Sequence, residues 1–263
     1  MDLRYRGADA QPGRAGPAVS APGLTGRSVL VTGGASGIGA AMTRAFAAAG
    51  AVAGILDLDA AAGEAIAAET GAAFEPCDLR DLDALKAGVA RLAERCGPAT
   101  VLVNNAARDD RHGWAEVTPD YWDERMATNL RHQFFAIQAV APGMIAAGGG
   151  SIVNMGSGSW IQGTPGLPVY GTAKAAVHGL TRTMARELGP HRIRVNTVIP
   201  GWVMTERQKE LWVTPEKIEG LRARQCLPDL LQPGDLADAV LFLASDAARM
   251  ITAADLMVDA GAL

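Results

Sequence analysis

The sequence predicts a single α/β domain: a doubly wound parallel sheet of seven strands with helices on both faces. The chain has 263 residues, of which 49% are hydrophobic, enough for one large core without a second domain. Short apolar runs alternate with longer, alanine-rich runs of helical length. Polar or glycine-rich segments follow several of the apolar runs, at the strand ends where ligands bind in such sheets.

The predicted elements follow one another without an internal repeat. Seven short, mostly apolar runs are predicted strands: 28–32, 51–57, 73–77, 100–103, 150–155, 193–199 and 254–258. The segments between them are predicted helices: 40–49, 60–69, from about 82 onward, 119–147, 169–188 and 234–244.

Two segments are expected to lie outside this framework. Residues 1–24 are rich in glycine, proline and alanine and cannot bury an apolar stripe, which predicts a flexible N-terminal arm. Residues 202–231 are polar and irregular with helical stretches, which predicts a mobile lid. The folded domain is therefore expected to span residues 25–263.

Composition excludes several classes of function. The formal net charge of −4 gives no electrostatic reason to expect nucleic acid or an anionic membrane as partner. The sequence lacks an apolar run of membrane-spanning length and the pattern of a secretory signal, and its three cysteines are far apart. We therefore expect a cytoplasmic protein with reduced thiols. The four histidines have no metal-ligand spacing, so we expect no metal site.

A glycine turn joins the first strand to the first helix. Glycines let the backbone approach a pyrophosphate closely, and the helix N-terminus offers free N–H groups with a partial positive charge. The pattern G-x-x-x-G-x-G is weak alone, but its place between a strand and a helix makes it more specific. The expected contacts to a dinucleotide are Gly33, Ser36, Gly37, Ile38 and Gly39.

Two acidic residues end the next strands. Asp57 lies roughly 20 residues beyond the glycines, where a carboxylate binds the ribose hydroxyls of the adenosine. The same charge would repel a 2′-phosphate, and no basic residue stands beside it or in the glycine turn, which favours NAD over NADP. Asp78 is placed to reach the adenine. The alternative for both is that they cap the helices that follow them.

Tyr170 and Lys174 are four residues apart on a predicted helix and so share one face. An ammonium beside a phenol favours the ionised phenolate, which lowers the pKa of the tyrosine and makes it a candidate general base. Ser157 follows the fifth strand, where its hydroxyl could hold the reacting oxygen. Taken alone, a Tyr–Lys pair at this spacing is more often an ordinary surface pair than a catalytic one.

The motifs together resemble the short-chain dehydrogenase/reductase family from about Leu24 onward. The matching residues are T-G-G-A-S-G-I-G from Thr32, Asp57, C-D-L from Cys77, N-N-A from Asn104, Asn129, Ser157, Y-G-T-A-K from Tyr170, and P-G…T from Pro200 to Thr205. The sequence departs from the usual family pattern at Ala107 and Gly156, beside the motif positions. The resemblance implies a Rossmann-type fold, a nicotinamide dinucleotide cofactor and a homotetramer.

The resemblance also implies roles for individual residues. Tyr170 would be the base, Ser157 would hold the substrate oxygen, and Lys174 would lower the pKa of Tyr170 and bind the nicotinamide ribose. Asn129 would anchor a water molecule that connects Lys174 to bulk solvent. Further cofactor contacts implied by the family are Asp78, Leu79, Asn105, Ala106, Pro200, Gly201, Val203 and Thr205, together with Tyr170 and Lys174.

The loops narrow the resemblance to bacterial aldose 1-dehydrogenases of the D-xylose and L-arabinose type. The matching text is N-N-A-A-R-D-D-R-H, G-S-G-S-W and P-G-W-V-M-T-E-R-Q. This subgroup oxidises the anomeric carbon of a pentose or deoxyhexose to a lactone. Polar contacts to the sugar are expected from Asp110, His112, Asn154, Ser157 and Gln162, and a flat apolar wall from Trp160 or Trp202.

Two alternatives remain at this stage. The enzyme could act on another small alcohol or ketone, including a 3-oxoacyl thioester, in which case an open, apolar cleft is expected. The protein could also be a non-catalytic module that senses the cofactor. Such modules commonly lack the tyrosine or the lysine, and both are present here.

Overall fold

A computed structural model describes residues 21–263 of the chain. The strands are β1 (Ser28–Thr32), β2 (Val52–Asp57), β3 (Ala73–Pro76), β4 (Val101–Asn104), β5 (Gly150–Met155), β6 (Ile193–Pro200) and β7 (Asp255–Val258). The helices are α1 (Gly37–Ala48), α2 (Ala60–Thr70), α3 (Leu82–Cys96), α4 (Pro119–Met126), α5 (His132–Ala146), α6 (Pro168–Leu188), α7 (Glu206–Leu211), α8 (Pro215–Arg222) and α9 (Pro233–Ala244).

The strands form one parallel sheet in the order β3-β2-β1-β4-β5-β6-β7. The chain builds outward from β1 to β3, crosses back to β4 and then builds outward in the other direction. The order therefore reverses between β1 and β4, which opens a crevice beyond the carboxyl ends of these strands. The predicted fold class, a doubly wound seven-stranded sheet, is confirmed.

Apolar side chains cover both faces of the sheet. On one face α1 and α9 pack through residues such as Phe46 and Leu236. On the other face α3 and α5 pack through residues such as Leu85 and Ile137. The near-continuous apolar strands follow from this, because a parallel sheet covered on both sides offers neither face to water.

The core supplies a stability prediction with a matched control. Leu85 is 0% exposed, so Leu85→Ala leaves a cavity and should lower the free energy of unfolding by about 2–5 kcal/mol. Leu58 is 67% exposed, and Leu58→Ala should change it by less than about 0.5 kcal/mol. Urea denaturation of the two variants checks the difference. Equal losses would contradict the packing described here.

The predicted helix over 119–147 is interrupted. A π-helical segment, Ala127–Arg131, separates α4 from α5. Such single-turn insertions change which way side chains face, and they occur often at functional sites. Asn129 lies in the segment and is 0% exposed, so its amide faces the protein interior.

The folded domain begins earlier in the structure than residue 25, where the sequence predicts its start. Residues 21–24 belong to the folded domain: Leu24 is fully buried, and the carbonyl of Pro22 accepts a hydrogen bond from the amide of Asp246 at 3.0 Å. Residues 1–20 of the predicted arm lie outside the described residues. The expected lid contains α7 and α8, but its first residues Val203 and Met204 are buried against the core.

Residues 21–263 lack two kinds of feature. No helix there combines the length and the apolar character that a bilayer crossing requires. No three histidine, cysteine or acidic side chains there cluster as metal ligands would.

Candidate active site

A cleft of about 1270 Å³ lies beyond the carboxyl ends of the strands. The glycine turn, the ends of β2, β4, β5 and β6, the first turns of α6 and the lid segment form its walls. The sequence-predicted residues that line it are Gly33, Ser36, Gly37, Ile38, Gly39, Asp57, Asp78, Leu79, Asn105, Ala106, Ser157, Gln162, Tyr170, Lys174, Pro200, Gly201, Trp202, Val203 and Thr205.

The glycine turn forms a cradle that side chains would fill. A Cβ atom on Gly39 would lie 1.8 Å from the carbonyl oxygen of Gly33. Gly33 itself has φ +65° and packs against the backbone of Ala106. Ser36 precedes α1 but makes no side-chain capping bond, so it leaves the first N–H groups of α1 to other acceptors. These features fit a pyrophosphate at the helix N-terminus.

Asp57 and Asp78 stand at the same end of the cleft. Asp57 accepts a hydrogen bond from the amide of Ala35 at 2.9 Å, which ties it to the glycine turn. The N-caps of α2 and α3 are Asp59 and Asp81, so the alternative that Asp57 and Asp78 cap these helices is wrong. Asp78 pairs with Arg80 at 2.6 Å, and this bond lowers the pKa of Asp78.

Helix α6 presents the predicted catalytic pair to the cleft. Pro168 starts the helix at its first turn, which places Tyr170 near the N-terminus and Lys174 one turn further. The Lys174 ammonium donates to the carbonyl of Met155 at 2.7 Å and lies 5.7 Å from the centre of the Tyr170 ring. The Ser157 hydroxyl lies 2.9 Å from that of Ser159 and is close enough to the Tyr170 phenol to lower the pKa of that phenol. The structure brings the three predicted groups together.

Burial dominates the acid–base properties of this pair. It raises the pKa of Tyr170 well above its usual value; the charge of Asp109 adds to the rise and the hydrogen bond from Ser157 opposes it. Burial lowers the pKa of Lys174 to about 8, against the opposing effect of Asp109. The expected lowering of the tyrosine pKa by Lys174 is therefore not found in the protein alone. Additional positive charge beside the phenol would act in that direction.

The buried ammonium carries a stability cost. Lys174→Met should raise the free energy of unfolding by about 1–3 kcal/mol near neutral pH while removing activity, because it removes a desolvated charge. In the native protein, the free-energy cost of burying the charged ammonium is fully present below about pH 8, the pKa of Lys174 in the folded state. This cost is relieved between about pH 8 and 10.5, the ordinary pKa of a lysine. The gain should therefore shrink as the pH rises. Urea midpoints at about pH 7 and about pH 10 test this; a gain that does not shrink contradicts it.

Asn129 does not line the cleft but is hydrogen-bonded to Arg108, which does. Its side-chain oxygen accepts from the amide of Arg108 at 2.8 Å, and its amide group donates to the carbonyl of Arg125 at 3.0 Å. The side-chain oxygen therefore holds the loop that follows β4, and the amide group ties the π-helical segment to the last turn of α4. The expected role of Asn129 in anchoring a water molecule stays a prediction.

Seven residues are expected to contact the sugar, and for Asn154 this expectation is wrong. It is 0% exposed and bonds Asn104 and Thr181, each at 2.9 Å. Side chains alternate along a strand, so Asn154 points into the helix layer that covers the sheet and cannot meet a ligand at its edge.

Three more of the expected contacts lie outside the cleft lining. His112 bonds the Tyr121 hydroxyl at 2.9 Å. Trp160 donates its indole N–H to His178 at 3.0 Å, and His178 is held by Asp255 at 2.9 Å. Asp110 pairs with arginine side chains and does not line the cleft. The acidic residue that lines the cleft is its neighbour Asp109, so the expected sugar contact was placed one residue too late in the sequence.

Sequence reasoning missed four residues of the site. Asp109 and the lid residues Arg207 and Gln208 line the cleft, and each of the two lid residues donates a hydrogen bond to Asp109. His132 is buried near Lys174; burial, with the Lys174 charge, lowers its pKa to about 4 and keeps it neutral. The two adjacent aspartates of R-D-D-R, residues 108–111, indicate that this loop could belong to the site. No signal in the sequence predicts that Asp109 pairs with Arg207, which lies 98 positions further along the chain.

Comparison with known proteins decides the family. A solved structure described as a short chain dehydrogenase/reductase family protein is 40% identical, covers 90% of this chain and 97% of its own, and superposes with a TM-score of 0.81. The family described as enoyl-(acyl carrier protein) reductase matches residues 33–262. The chain belongs to the short-chain dehydrogenase/reductase family. The predicted resemblance is confirmed, and the family implies a nicotinamide dinucleotide, NAD or NADP, for the cradle described above.

Several relatives within this short-chain dehydrogenase/reductase family have sugar-related names. A protein of Rhizobium meliloti named as a probable galactose dehydrogenase is 47% identical over 93% of this chain and 98% of its own. D-Xylose 1-dehydrogenase of Caulobacter vibrioides is 48% identical over 91% of this chain and 97% of its own. L-Xylulose reductase of Bos taurus is 38% identical over 91% of this chain and 98% of its own.

Proposed function

We propose that this protein oxidises the anomeric carbon of an aldose to the lactone, with NAD as the oxidant. The substrate would be a pentose such as D-xylose or L-arabinose, or a hexose or deoxyhexose. The observation that carries this proposal is the convergence of Ser157, Tyr170 and Lys174 in one cleft beside the glycine cradle. The names of the two relatives that are 47% and 48% identical favour an aldose as the substrate.

The side chains divide the chemistry between them. Tyr170 removes the proton from the anomeric hydroxyl as the carbonyl forms, and Ser157 donates a hydrogen bond to the same oxygen. Lys174 lies one helical turn from Tyr170 and is held by the carbonyl of Met155. Its charge, together with that of a bound nicotinamide cation, would favour the phenolate form of Tyr170. The glycine turn with Gly33, Gly37 and Gly39 would hold the dinucleotide, which would supply the acceptor for the hydride that leaves C1.

The substrate side of the cleft suits a polyol better than an acyl chain. Its lining includes a carboxylate, a guanidinium, two amides and an indole: Asp109, Arg207, Gln208, Gln162 and Trp202. Sugar hydroxyls need such donors and acceptors, whereas a 3-oxoacyl chain needs an apolar groove. The second candidate, a 3-oxoacyl reductase, is favoured by a solved structure that is described as a betaketoacyl-ACP reductase and is 40% identical over 90% of this chain.

A substrate panel separates the two candidates. Reduction of NAD and of NADP should be followed with pentoses, hexoses and deoxyhexoses, and oxidation of NADPH with a 3-oxoacyl thioester. We expect turnover with at least one aldose and a lactone as product. No turnover with any aldose, together with reduction of the thioester, would favour the second candidate.

The choice of NAD over NADP is proposed to depend on Asp57. Asp57→Asn should improve the use of NADP relative to NAD by about tenfold or more, since removal of about 1.4 kcal/mol of repulsion gives a factor of ten. Arg44 lines the same end of the cleft but is paired with Glu69 through two hydrogen bonds of 2.6 and 2.8 Å.

The neighbouring acid supplies the control for this prediction. Asp59 caps α2, and Asp59→Asn keeps a capping side chain while removing one charge. It should leave the ratio of kcat/KM for the two cofactors unchanged. A shift of the same size in both variants would mean that general charge, and not the position of Asp57, sets the preference.

We also propose a homotetramer and a cytoplasmic location. Phe134 and Ile145 are each 41% exposed on α5, an apolar surface that subunit contact would cover. Light scattering of the purified protein tests the assembly: a mass near four chains of 27.2 kDa supports it, and a monomer contradicts it.

A further inference from the structure

The loop between β5 and α6, residues 156–167, carries polar side chains of the cleft lining, among them Ser157, Ser159 and Gln162. Its first residue continues the sheet, because the amide of Gly156 donates to the carbonyl of Val198 at 2.8 Å. The rest of the loop has no strand beside it. The contacts that hold it therefore decide how precisely its side chains face a substrate.

Trp160, in the middle of this loop, does not line the cleft but is bound to α6. Its indole N–H donates to Nε2 of His178 at 3.0 Å. The two rings also meet edge to face, with centroids 4.9 Å apart and an angle of 64° between their planes. The His178 side chain is only 12% exposed, so water has little access to replace this bond. Trp160 thus ties the loop to the helix.

Asp255 selects the state of His178 that can accept this bond. An indole N–H can only donate, so Nε2 of His178 must carry no proton. Nδ1 then carries the ring proton and donates to the Asp255 carboxylate at 2.9 Å. The second oxygen of that carboxylate lies 3.5 Å from the Arg182 guanidinium. Asp255, the first residue of β7, therefore fixes both the tautomer and the orientation that Trp160 requires.

The same helix carries the proposed base and the partner of Trp160. Tyr170, Lys174, His178 and Arg182 follow one another at intervals of four residues on α6, so each lies about one turn beyond the last. The first two line the cleft, and the last two reach β7. A loop that is bound to this helix is thereby held at a fixed position relative to Tyr170.

Gly156 leaves room for the imidazole. A Cβ atom on Gly156 would lie 3.3 Å from Nε2 of His178 and 3.0 Å from the methyl group of Thr197. Glycine at this position is one of the two departures from the usual family pattern. A side chain here would crowd the nitrogen that accepts from Trp160, so the departure and the contact fit each other.

We propose that His178 and Asp255 are positioning residues that anchor the β5–α6 loop through Trp160 and so align the loop with Tyr170 across the cleft. Trp160 then acts on a substrate without touching it, in place of the flat wall expected from the sequence. The consequence for turnover rests on the proposed role of Ser157 in holding the reacting oxygen. The anchoring of the loop does not.

Hydrogen exchange measured by mass spectrometry tests the anchor without a substrate. Within the loop, the amides of Gln162 and Thr164 donate at 3.0 and 2.9 Å, so their exchange reports whether the loop opens. His178→Leu removes the acceptor, and Trp160→Phe keeps a ring but removes the donor. Each should speed exchange in residues 158–164 by about threefold or more and leave the glycine turn, residues 33–39, unchanged. Native exchange in both variants would overturn the proposal.

A conservative variant and two exposed residues supply the controls. His178→Gln has an amide oxygen that can accept from the indole, so its loop should exchange like that of the native protein. Trp114 is 82% exposed and His191 is exposed, so Trp114→Phe and His191→Leu should not change exchange in the loop. Faster exchange throughout the protein in His178→Leu would indicate general destabilisation and would contradict a local anchor.

The double variant tests whether the two side chains act through one bond. His178→Leu combined with Trp160→Phe should exchange no faster in the loop than either single variant, because the bond is already lost in each. Effects that add in the double variant would show that the two residues act independently. That result would overturn the proposed anchor.

Steady-state kinetics connect the anchor to the proposed reaction. At saturating NAD, His178→Leu and Trp160→Phe should each lower kcat/KM for the active aldose by about two- to tenfold, and His178→Gln should recover most of the loss. The KM for NAD should stay within about twofold of the native value. Faster loop exchange with native kcat/KM would refute the alignment. Faster loop exchange in a protein that turns over no aldose would support the anchor and count against the proposed function.

Discussion

Replacement of Tyr170 by phenylalanine is expected to lower kcat by about a thousandfold or more and to leave dinucleotide binding intact. General acid–base catalysis contributes typically about 10²–10⁴-fold, and the phenol is the group placed to remove the proton. Lys174 cannot replace it, because its ammonium donates to the Met155 carbonyl and lies 5.7 Å from the centre of the Tyr170 ring. Single-turnover kinetics measure the loss without contribution from product release.

Binding and stability controls make the result interpretable. The ring of Tyr170 remains in the variant, so the free energy of unfolding measured in urea should change by less than about 1 kcal/mol. Titration with NAD should give an unchanged affinity. Turnover within about tenfold of the native enzyme would show that another group takes the proton.

The second large effect is expected in the glycine cradle. In Gly39→Ala the new methyl group would lie 1.8 Å from the Gly33 carbonyl oxygen, a backbone atom that cannot move without reshaping the turn. We expect dinucleotide affinity to fall by about a hundredfold or more, because a misplaced turn no longer presents its N–H groups to the pyrophosphate. Isothermal titration with NAD measures the loss.

A helical glycine elsewhere is the matched control. Gly234 lies in the first turn of α9, and a Cβ atom built there meets nothing within 4 Å. Gly234→Ala should retain the native affinity and stabilise the protein by a few tenths of a kcal/mol, up to about 1 kcal/mol. Equal losses in both variants would mean that the cradle geometry is not what the dinucleotide requires.

The residues that could be predicted are those fixed by local geometry. The glycine turn lies between a strand and a helix in both sequence and space, so its role follows from contacts within a few residues. Tyr170 and Lys174 share a helix face by spacing alone. Ser157 and Gly201 follow parallel strands, whose carboxyl ends necessarily meet at one edge of the sheet.

The errors have physical causes of their own. Asn154 lies near the carboxyl end of β5, but its side chain points into the protein interior and not into the cleft. The sequence cannot show which way a strand residue points when both faces of the sheet are buried, because the apolar–polar alternation is then absent. The π-helical segment around Asn129 adds a residue to one turn, which no periodicity in the sequence predicts. The pairing of Arg207 with Asp109 joins residues 98 positions apart and depends on how the lid packs.

Isotope transfer from a C1-labelled sugar tests the central claim most directly. The enzyme should be incubated with NAD and the active aldose, beginning with D-xylose deuterated at C1, and the nucleotide and sugar products analysed by mass spectrometry. The proposed function predicts that the label appears in the reduced nucleotide and that the sugar is recovered as an unlabelled lactone or its hydrolysed acid. A labelled sugar product, or no transfer from C1 of any aldose, would contradict it.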